Sequence, residues 1–282
     1  MKNIYFMGVI IFLFLIGIMS TIFQSGSVYA AGTTSNTISI PLDQGEDVIV
    51  EVDGEVLSIH QSPRYVVVSG TFSTVKVDGG TPVQVQNVAI VDLQTRVILN
   101  WLPAFNGAIF DIESYQNQIF IAGNFTQVGT ATQPFLAVFD SSTKQLTQKQ
   151  YQLDGAVNTL EMYESTLILG GEFEHIEAME RLHLGGISLE KQLITSWNPG
   201  ANASVNSIAR DTNTLYVGGA FTTIAGQART YLASFYLPSG ILSEWAPVVA
   251  SPVQKLSINE GALIVELASS DPSLGVVQAT VP

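Results

Sequence analysis

The chain has 282 residues, no cysteine, three histidines and a formal net charge of −13. Without cysteine it has no disulfide, no thiolate metal site, no cysteine nucleophile and no lipid-modified cysteine. The acidic balance repels phosphate backbones and anionic lipid, which argues against nucleic acid and membrane surfaces as partners; solubility outside the cell explains it.

Residues 1–30 read as a secretory signal peptide. Lys2 supplies a positive start, Ile4 to Met19 is almost wholly apolar, and Val28-Tyr29-Ala30 has the small-x-small form of a cleavage site. The alternative is an uncleaved anchor, because the apolar stretch approaches membrane-spanning length. No second hydrophobic span follows, so no membrane contact is expected after cleavage. Such a leader on a cysteine-free product suggests a Gram-positive bacterium and a secreted or cell-surface location.

Residues 31–282 carry one phrase four times: Ser69-Gly70-Thr71-Phe72, Ala122-Gly123-Asn124-Phe125, Gly170-Gly171-Glu172-Phe173 and Gly218-Gly219-Ala220-Phe221. Its phenylalanines lie 53, 48 and 48 residues apart, a period that marks a propeller or solenoid. Each phrase ends an apolar run: Tyr65 to Val68, Ile119 to Ile121, Leu167 to Leu169, Leu215 to Val217. A shorter apolar strand precedes it, a third follows, and a fourth ends at Trp101-Leu102-Pro103, Trp197-Asn198-Pro199 or Trp245-Ala246-Pro247. In the second unit Lys149 replaces the tryptophan. The repeats span about 53–103, 106–151, 154–199 and 202–247, with a partial fifth over 250–282. The first is five residues longer, between Phe72 and Val88.

Four short strands per unit without helical periodicity predict an all-β fold of antiparallel sheets. Near-continuous apolar runs predict sheets buried on both faces, as in stacked blades. Glycine in a strand permits a bulge or a close neighbouring backbone, and the phenylalanine beyond it can fill the gap between blades. Thr37 to Leu42 and Asp47 to Val52 are spare strands ahead of the first unit. The expectation is a β-propeller of about five four-stranded blades, with an N-terminal strand completing the C-terminal blade and closing the ring. Closure removes sheet edges. The alternative is part of a larger ring, or one completed by another chain.

The run Leu215-Tyr216-Val217-Gly218-Gly219-Ala220-Phe221-Thr222, followed by Trp245-Ala246-Pro247, resembles the delta-60 repeat β-propeller family over roughly residues 53–268. That resemblance implies a propeller fold and a secreted or surface binding module, since bacterial exported members have no assigned activity. A weaker likeness is to kelch propellers, whose tyrosine-to-tryptophan spacing this chain lacks.

Catalytic motifs are missing. No Gly-x-Ser-x-Gly surrounds a serine and no phosphate-binding loop occurs. Glu174, His175, Glu177 and His183 are weak metal candidates in a charge-rich loop, with spacing that matches no known metal site. No cofactor is expected. Trp101, Trp197 and Trp245 recur at the repeat interval, which favours packing over sugar stacking. The divergent loops Ser73 to Asn87, Thr126 to Pro134, Glu174 to Gly185 and Thr222 to Thr230 are where a ligand would sit, and the first holds the insertion.

Three functions follow. The first is a non-enzymatic binding module for an extracellular protein or glycan. The second is a carbohydrate-active hydrolase or lyase with carboxylates in the channel. The third is a structural segment of a larger surface protein. Buried, converging carboxylates at the channel mouth would favour the enzyme.

Overall fold

The computed structural model describes residues 37–40, 42, 46–61, 64–85, 88–259, 261–268 and 276–279. The signal-peptide reading of residues 1–30 lies outside them. The described residues are all strand, turn and connector, and every strand pairing is antiparallel.

Strands are numbered in chain order. Unit 1 is the sheet β3 (Glu55–Gln61), β4 (Tyr65–Thr71), β7 (Val88–Asp92) and β8 (Val97–Ile98). Unit 2 is β9 (Ile109–Tyr115), β10 (Gln118–Gly123), β13 (Leu136–Asp140) and β14 (Gln145–Leu146). Unit 3 is β15 (Val157–Tyr163), β16 (Thr166–Gly171), β19 (Leu184–Ser188) and β20 (Leu193–Ile194). Unit 4 is β21 (Val205–Arg210), β22 (Thr214–Gly219), β25 (Leu232–Tyr236) and β26 (Ile241–Leu242). Unit 5 has three strands, β27 (Val253–Asn259), β28 (Ala262–Leu267) and β29 (Val276–Ala279). The fourth strand of each full unit is only two residues long. It ends ahead of the Trp-x-Pro position, so the tryptophan belongs to the connector rather than to the strand.

Between the second and third strands of units 2 to 4, the expected loops are small hairpins: β11 (Gln127–Val128) with β12 (Ala131–Thr132), β17 (His175–Ile176) with β18 (Met179–Glu180), and β23 (Thr223–Ile224) with β24 (Gln227–Ala228). The connector entering each unit touches its hairpin through one bridge: Phe105 to Val128, Leu153 to Ile176, Ala201 to Ile224. In unit 1 the same position is Val52 opposite Val75. There the connector has grown into β2 (Val48–Val52) and the hairpin into β5 (Thr74–Val77) with β6 (Val83–Gln84). With β1 (Thr37–Ile40) they form a four-stranded sheet of order β1-β2-β5-β6.

This pairing corrects the expected role of the N-terminal strands. Both β1 and β2 join the unit 1 hairpin, and among the described residues neither pairs with β27, β28 or β29. The physical reason is the insertion, which gives the hairpin an edge long enough to capture β2. Lys76 Nζ meets Glu51 Oε2 across that pair at 2.7 Å, and Val48, Val50 and Val75 are fully buried beneath it.

The sheets meet at their first strands. β3 packs on β9, β9 on β15, β15 on β21 and β21 on β27, while each second strand leans on the next unit's first strand. Each apolar cluster therefore spans two sheets. Phe125 lies in the cluster shared by units 1 and 2, Phe173 in that of units 2 and 3, and Phe221 in that of units 3 and 4. Phe72 fills the contact between the N-terminal sheet and unit 1. β22 is buried along its whole length, whereas β28 alternates buried and half-buried, so unit 5 is covered well on one face only.

A bulge in every first strand lets neighbouring sheets bond. The register shifts between Val157 and Thr159 and between Val205 and Ser207 free Asn158 and Asn206 from their own ladders. Asn158 Nδ2 then donates to Val205 O at 3.1 Å, and Asn206 Nδ2 to Val253 O at 2.8 Å. One residue on, Asp111 Oδ2, Thr159 Oγ1 and Ser207 Oγ accept the N–H groups of Leu160, Ile208 and Leu256, at 2.7, 3.2 and 3.0 Å. Each such buried bond contributes about 1 kcal/mol.

The second glycine of the phrase sits opposite the bulge. A Cβ on Gly171 would lie 2.1 Å from Ala156 O, and one on Gly219 would lie 2.1 Å from Ser204 O. At the first glycine the obstacle is the next unit: a Cβ on Gly218 would meet Val253 Cγ1 at 2.4 Å. Gly70 and Gly123 occupy the second position in units 1 and 2, and Gly170 the first position in unit 3. The tryptophans pack edge-on, Trp101 and Trp197 against the next unit and Trp245 within its own. Trp101 meets Phe139 at 5.8 Å, Trp197 meets Phe235 at 5.4 Å and Trp245 meets Tyr216 at 5.7 Å between ring centroids.

Gly219→Ala is expected to destabilise the protein by about 3 kcal/mol, because backbone rather than a side chain must move. Asn206→Ala, which leaves Val253 O without its donor, is expected to cost about 1–2 kcal/mol. Urea unfolding followed by tryptophan fluorescence checks both, and equal costs for the two would count against the assigned roles.

Candidate functional site

An Asp or Asn opens each unit and ties down its hairpin. Asp53 accepts the N–H groups of Ser73 and Thr74 at 2.7 and 2.8 Å; Asn106 accepts those of Thr126 and Gln127, both at 2.8 Å. Asp154 accepts Glu174 N and His175 N at 2.8 and 2.9 Å, and Asn202 accepts Thr222 N and Thr223 N at 2.8 and 2.9 Å. The signal in sequence is Asx at 53, 106, 154 and 202, spaced like the phenylalanines. The Ser73 hydroxyl, with the N–H groups of Ser73 and Thr74, draws the Asp53 carboxyl below the usual carboxylate range; at Asp154, against the effect of burial, the N–H groups of His175 and Glu174 and the His175 ring do so.

The four hairpins stand at the end of each sheet where the second strand finishes. A cleft of about 750 Å3 opens there, between unit 1 and the connector 99–109. The insertion contributes Gln84 and Val85 to one wall. Leu99, Leu102, Pro103 and Phe105 form a half-buried apolar floor, while Gln84, Asn100 and Asn106 are exposed around it. None of the described residues lining this cleft is ionisable.

The weak metal candidates are used otherwise. His175 Nδ1 bonds Asp154 Oδ2 at 2.8 Å, and Glu177 pairs with Lys149 Nζ at 2.8 Å. Lys149 also stands over the Tyr151 ring at 4.7 Å, in the place that tryptophan takes elsewhere. His183 holds a left-handed backbone, φ 64°, and its N–H donates to Phe173 O. Glu174 is exposed. Among the described residues no three His, Asp or Glu side chains group closely enough to hold a metal ion.

A second constellation lies along the neighbouring first strands. Asp111 is 1 % exposed and Glu113 9 %, both on β9; Glu161 comes from β15, Arg210 from β21 and Lys255, 5 % exposed, from β27. Asp111 accepts Ile112 N at 2.5 Å as well as Leu160 N. Glu161 Oε1 meets Arg210 Nε at 2.9 Å, and Arg210 also donates to Met162 O at 2.8 Å. Glu113 Oε2 accepts Ser114 N, at 3.2 Å. Lys255 lies beside Glu266 and within electrostatic reach of Asp111. Sequence reasoning singled out none of these residues. Their signal was one of place: Asp111 and Lys255 stand where the other first strands carry Ser or Thr, and Glu113 and Glu161 share one repeat position.

Burial sets their protonation. It raises the Glu113 carboxyl well above its ordinary 4.5, and the charges of Glu161 and Asp111 add to the effect. Burial lifts Glu161 to about 8 against the pull of Arg210, and lowers Lys255 from 10.5 to about 7 against the pull of Glu266 and Asp111. Above pH 4.5 the folded state thus holds protons on Glu113 and Glu161 that the unfolded chain has released, and stability falls as pH rises toward 8. Lys255 acts oppositely. Between about 7 and 10.5 the unfolded chain holds its proton and the folded chain does not, so this contribution rises with pH. Differential scanning fluorimetry is expected to show the thermal midpoint falling between pH 5 and pH 8. Glu113→Gln flattens that fall; an unchanged slope would contradict the assigned burial.

No family model matches the chain, and no curated protein matches it. Among solved structures it is similar to a computationally designed protein titled Ika4, at 13% identity and a TM-score of 0.42, over 64% of this chain and 96% of that one.

Proposed function

We propose that the protein is a secreted or cell-surface binding module that holds an extracellular protein or glycan without chemistry. Its five sheets stand as blades around an axis, in the manner of the propeller family that its repeat resembles. The arrangement is supported by Lys255 of unit 5 reaching the field of Asp111 in unit 2. Sheets packed face to face stand about 10 Å apart, so a straight stack would separate those units by some 30 Å, too far for the two charges to interact. The observation that carries the binding reading is the cleft at the unit 1 insertion. It combines an apolar floor with exposed amides, and none of its described lining residues is ionisable. A site with those properties recognises and orients, and lacks the groups that move protons.

The second reading is an extracellular hydrolase or lyase. It is favoured by the buried Glu113 and the half-buried Glu161, whose carboxyls hold their protons above the ordinary carboxylate range, as a general acid must. Against it, Asp111 spends its oxygens on two backbone N–H groups and Glu161 is tied to Arg210, which leaves no free carboxylate base beside them.

The test is to present the purified mature chain with arrays of extracellular proteins and glycans while following release of reducing sugar. The binding reading expects saturable retention with no product. Product release that disappears in Glu113→Gln would establish the second reading instead.

A further inference from the structure

We propose that the cleft between unit 1 and the connector 99–109 is a subsite for a neutral oligosaccharide. This rests on the binding reading above and narrows it to one ligand class. The chemistry of the walls makes the choice. Ser69, Gln84 and Asn100 present a hydroxyl and two amides, neutral groups that both donate and accept. Leu102, Pro103 and Phe105 present a half-buried apolar floor. A pyranose ring has the same two-sided character, with hydroxyls around its rim and C–H groups on its face.

Charge excludes acidic sugars. The lining holds no cation to meet a carboxylate or a phosphate, and the chain carries −13 overall, so uronates and phosphorylated glycans are repelled.

Backbone satisfaction argues against a peptide. An extended peptide binds mainly through main-chain hydrogen bonds to an open edge. Here four of the main-chain donors along the walls are already engaged. Val85 N donates to Ser73 O, Leu99 N to Ile90 O, Asn100 N to Ile98 O and Asn106 N to Gln127 O, at 2.9, 2.7, 2.8 and 3.2 Å. Recognition is left to side chains, which suits a sugar. The Asn106 amide is also committed, accepting Thr126 N and Gln127 N and donating to Thr126 Oγ1, so Gln84 and Asn100 carry the contacts.

The experiment is a calorimetric titration of the mature chain with chitohexaose, cellohexaose, maltohexaose and mannohexaose. Hexagalacturonate and a pooled library of short unstructured peptides form the other arms. The expected result is saturable binding of at least one neutral hexasaccharide and none of the hexagalacturonate. Asn100→Ala and Gln84→Ala each weaken that binding about fivefold, the effect of one lost hydrogen bond, with the thermal midpoint unchanged. Binding of no neutral hexasaccharide, equal binding of hexagalacturonate, or affinity indifferent to both variants overturns the proposal. Peptide binding lost in those variants overturns it too, yet leaves the broader binding reading standing. Failure of every arm, with no partner on the protein array, removes both.

Discussion

The bulge in the first strand of each unit is the feature on which the rest of the molecule depends. A regular strand would give its polar backbone groups only to its own sheet. The extra residue at Asn158 or Asn206 breaks that pattern and aims an amide at the next sheet's carbonyl. The following side chain, Asp111, Thr159 or Ser207, then meets the next sheet's N–H. The paired glycine is the other half of the device, since the carbonyl of Ala156 or Ser204, just ahead of the bulge, comes within 2.1 Å of where its Cβ would stand. With the sheets fixed at that joint, apolar clusters close above it, and Phe125, Phe173 and Phe221 complete them.

Lys255 marks the end of this series. It occupies the position of Asp111, Thr159 and Ser207, but an ammonium has no lone pair and cannot accept a backbone N–H. The ladder of side chain to backbone bonds therefore stops at unit 5. The same residue turns its charge toward Asp111 and Glu266. The ionic cluster, with Arg210 at its exposed edge, is best understood as part of the joint between units. Its oxygens are spent on backbone N–H groups and on Arg210, and its stabilising effect depends on protons held at Glu113 and Glu161.

Much of the architecture was legible in the repeat. The apolar runs around Leu167 and Leu215 became β16 and β22, and the phrase ends each second strand because the glycine is needed there. What the sequence could not reveal depends on partners distant along the chain. β1 and β2 look like strands from either end of the molecule. The pairing of β2 with β5, and of β1 with β2, follows from five added residues that lengthen a hairpin, a local change with a non-local consequence. The Asx residues at 53, 106, 154 and 202 were visible in spacing, yet their bonds reach across some twenty residues. Glu113 and Glu161 were hidden more deeply. Their shared environment exists only once β9 and β15 are side by side. The cleft was half legible, since the insertion was the expected place for a ligand, but its other wall comes from the connector 99–109.

The account divides the molecule in two: a joint of first strands that holds the sheets, and a cleft at the unit 1 insertion that holds a ligand. Amide-resolved NMR during titration with a neutral hexasaccharide tests that division most directly. The account predicts shifts confined to residues 84–85 and 98–109, with Ile112, Leu160 and Ile208 unmoved. Shifts centred on Ile112 and Leu160, beside Asp111 and Glu161, would contradict it and place the ligand among the buried carboxyls.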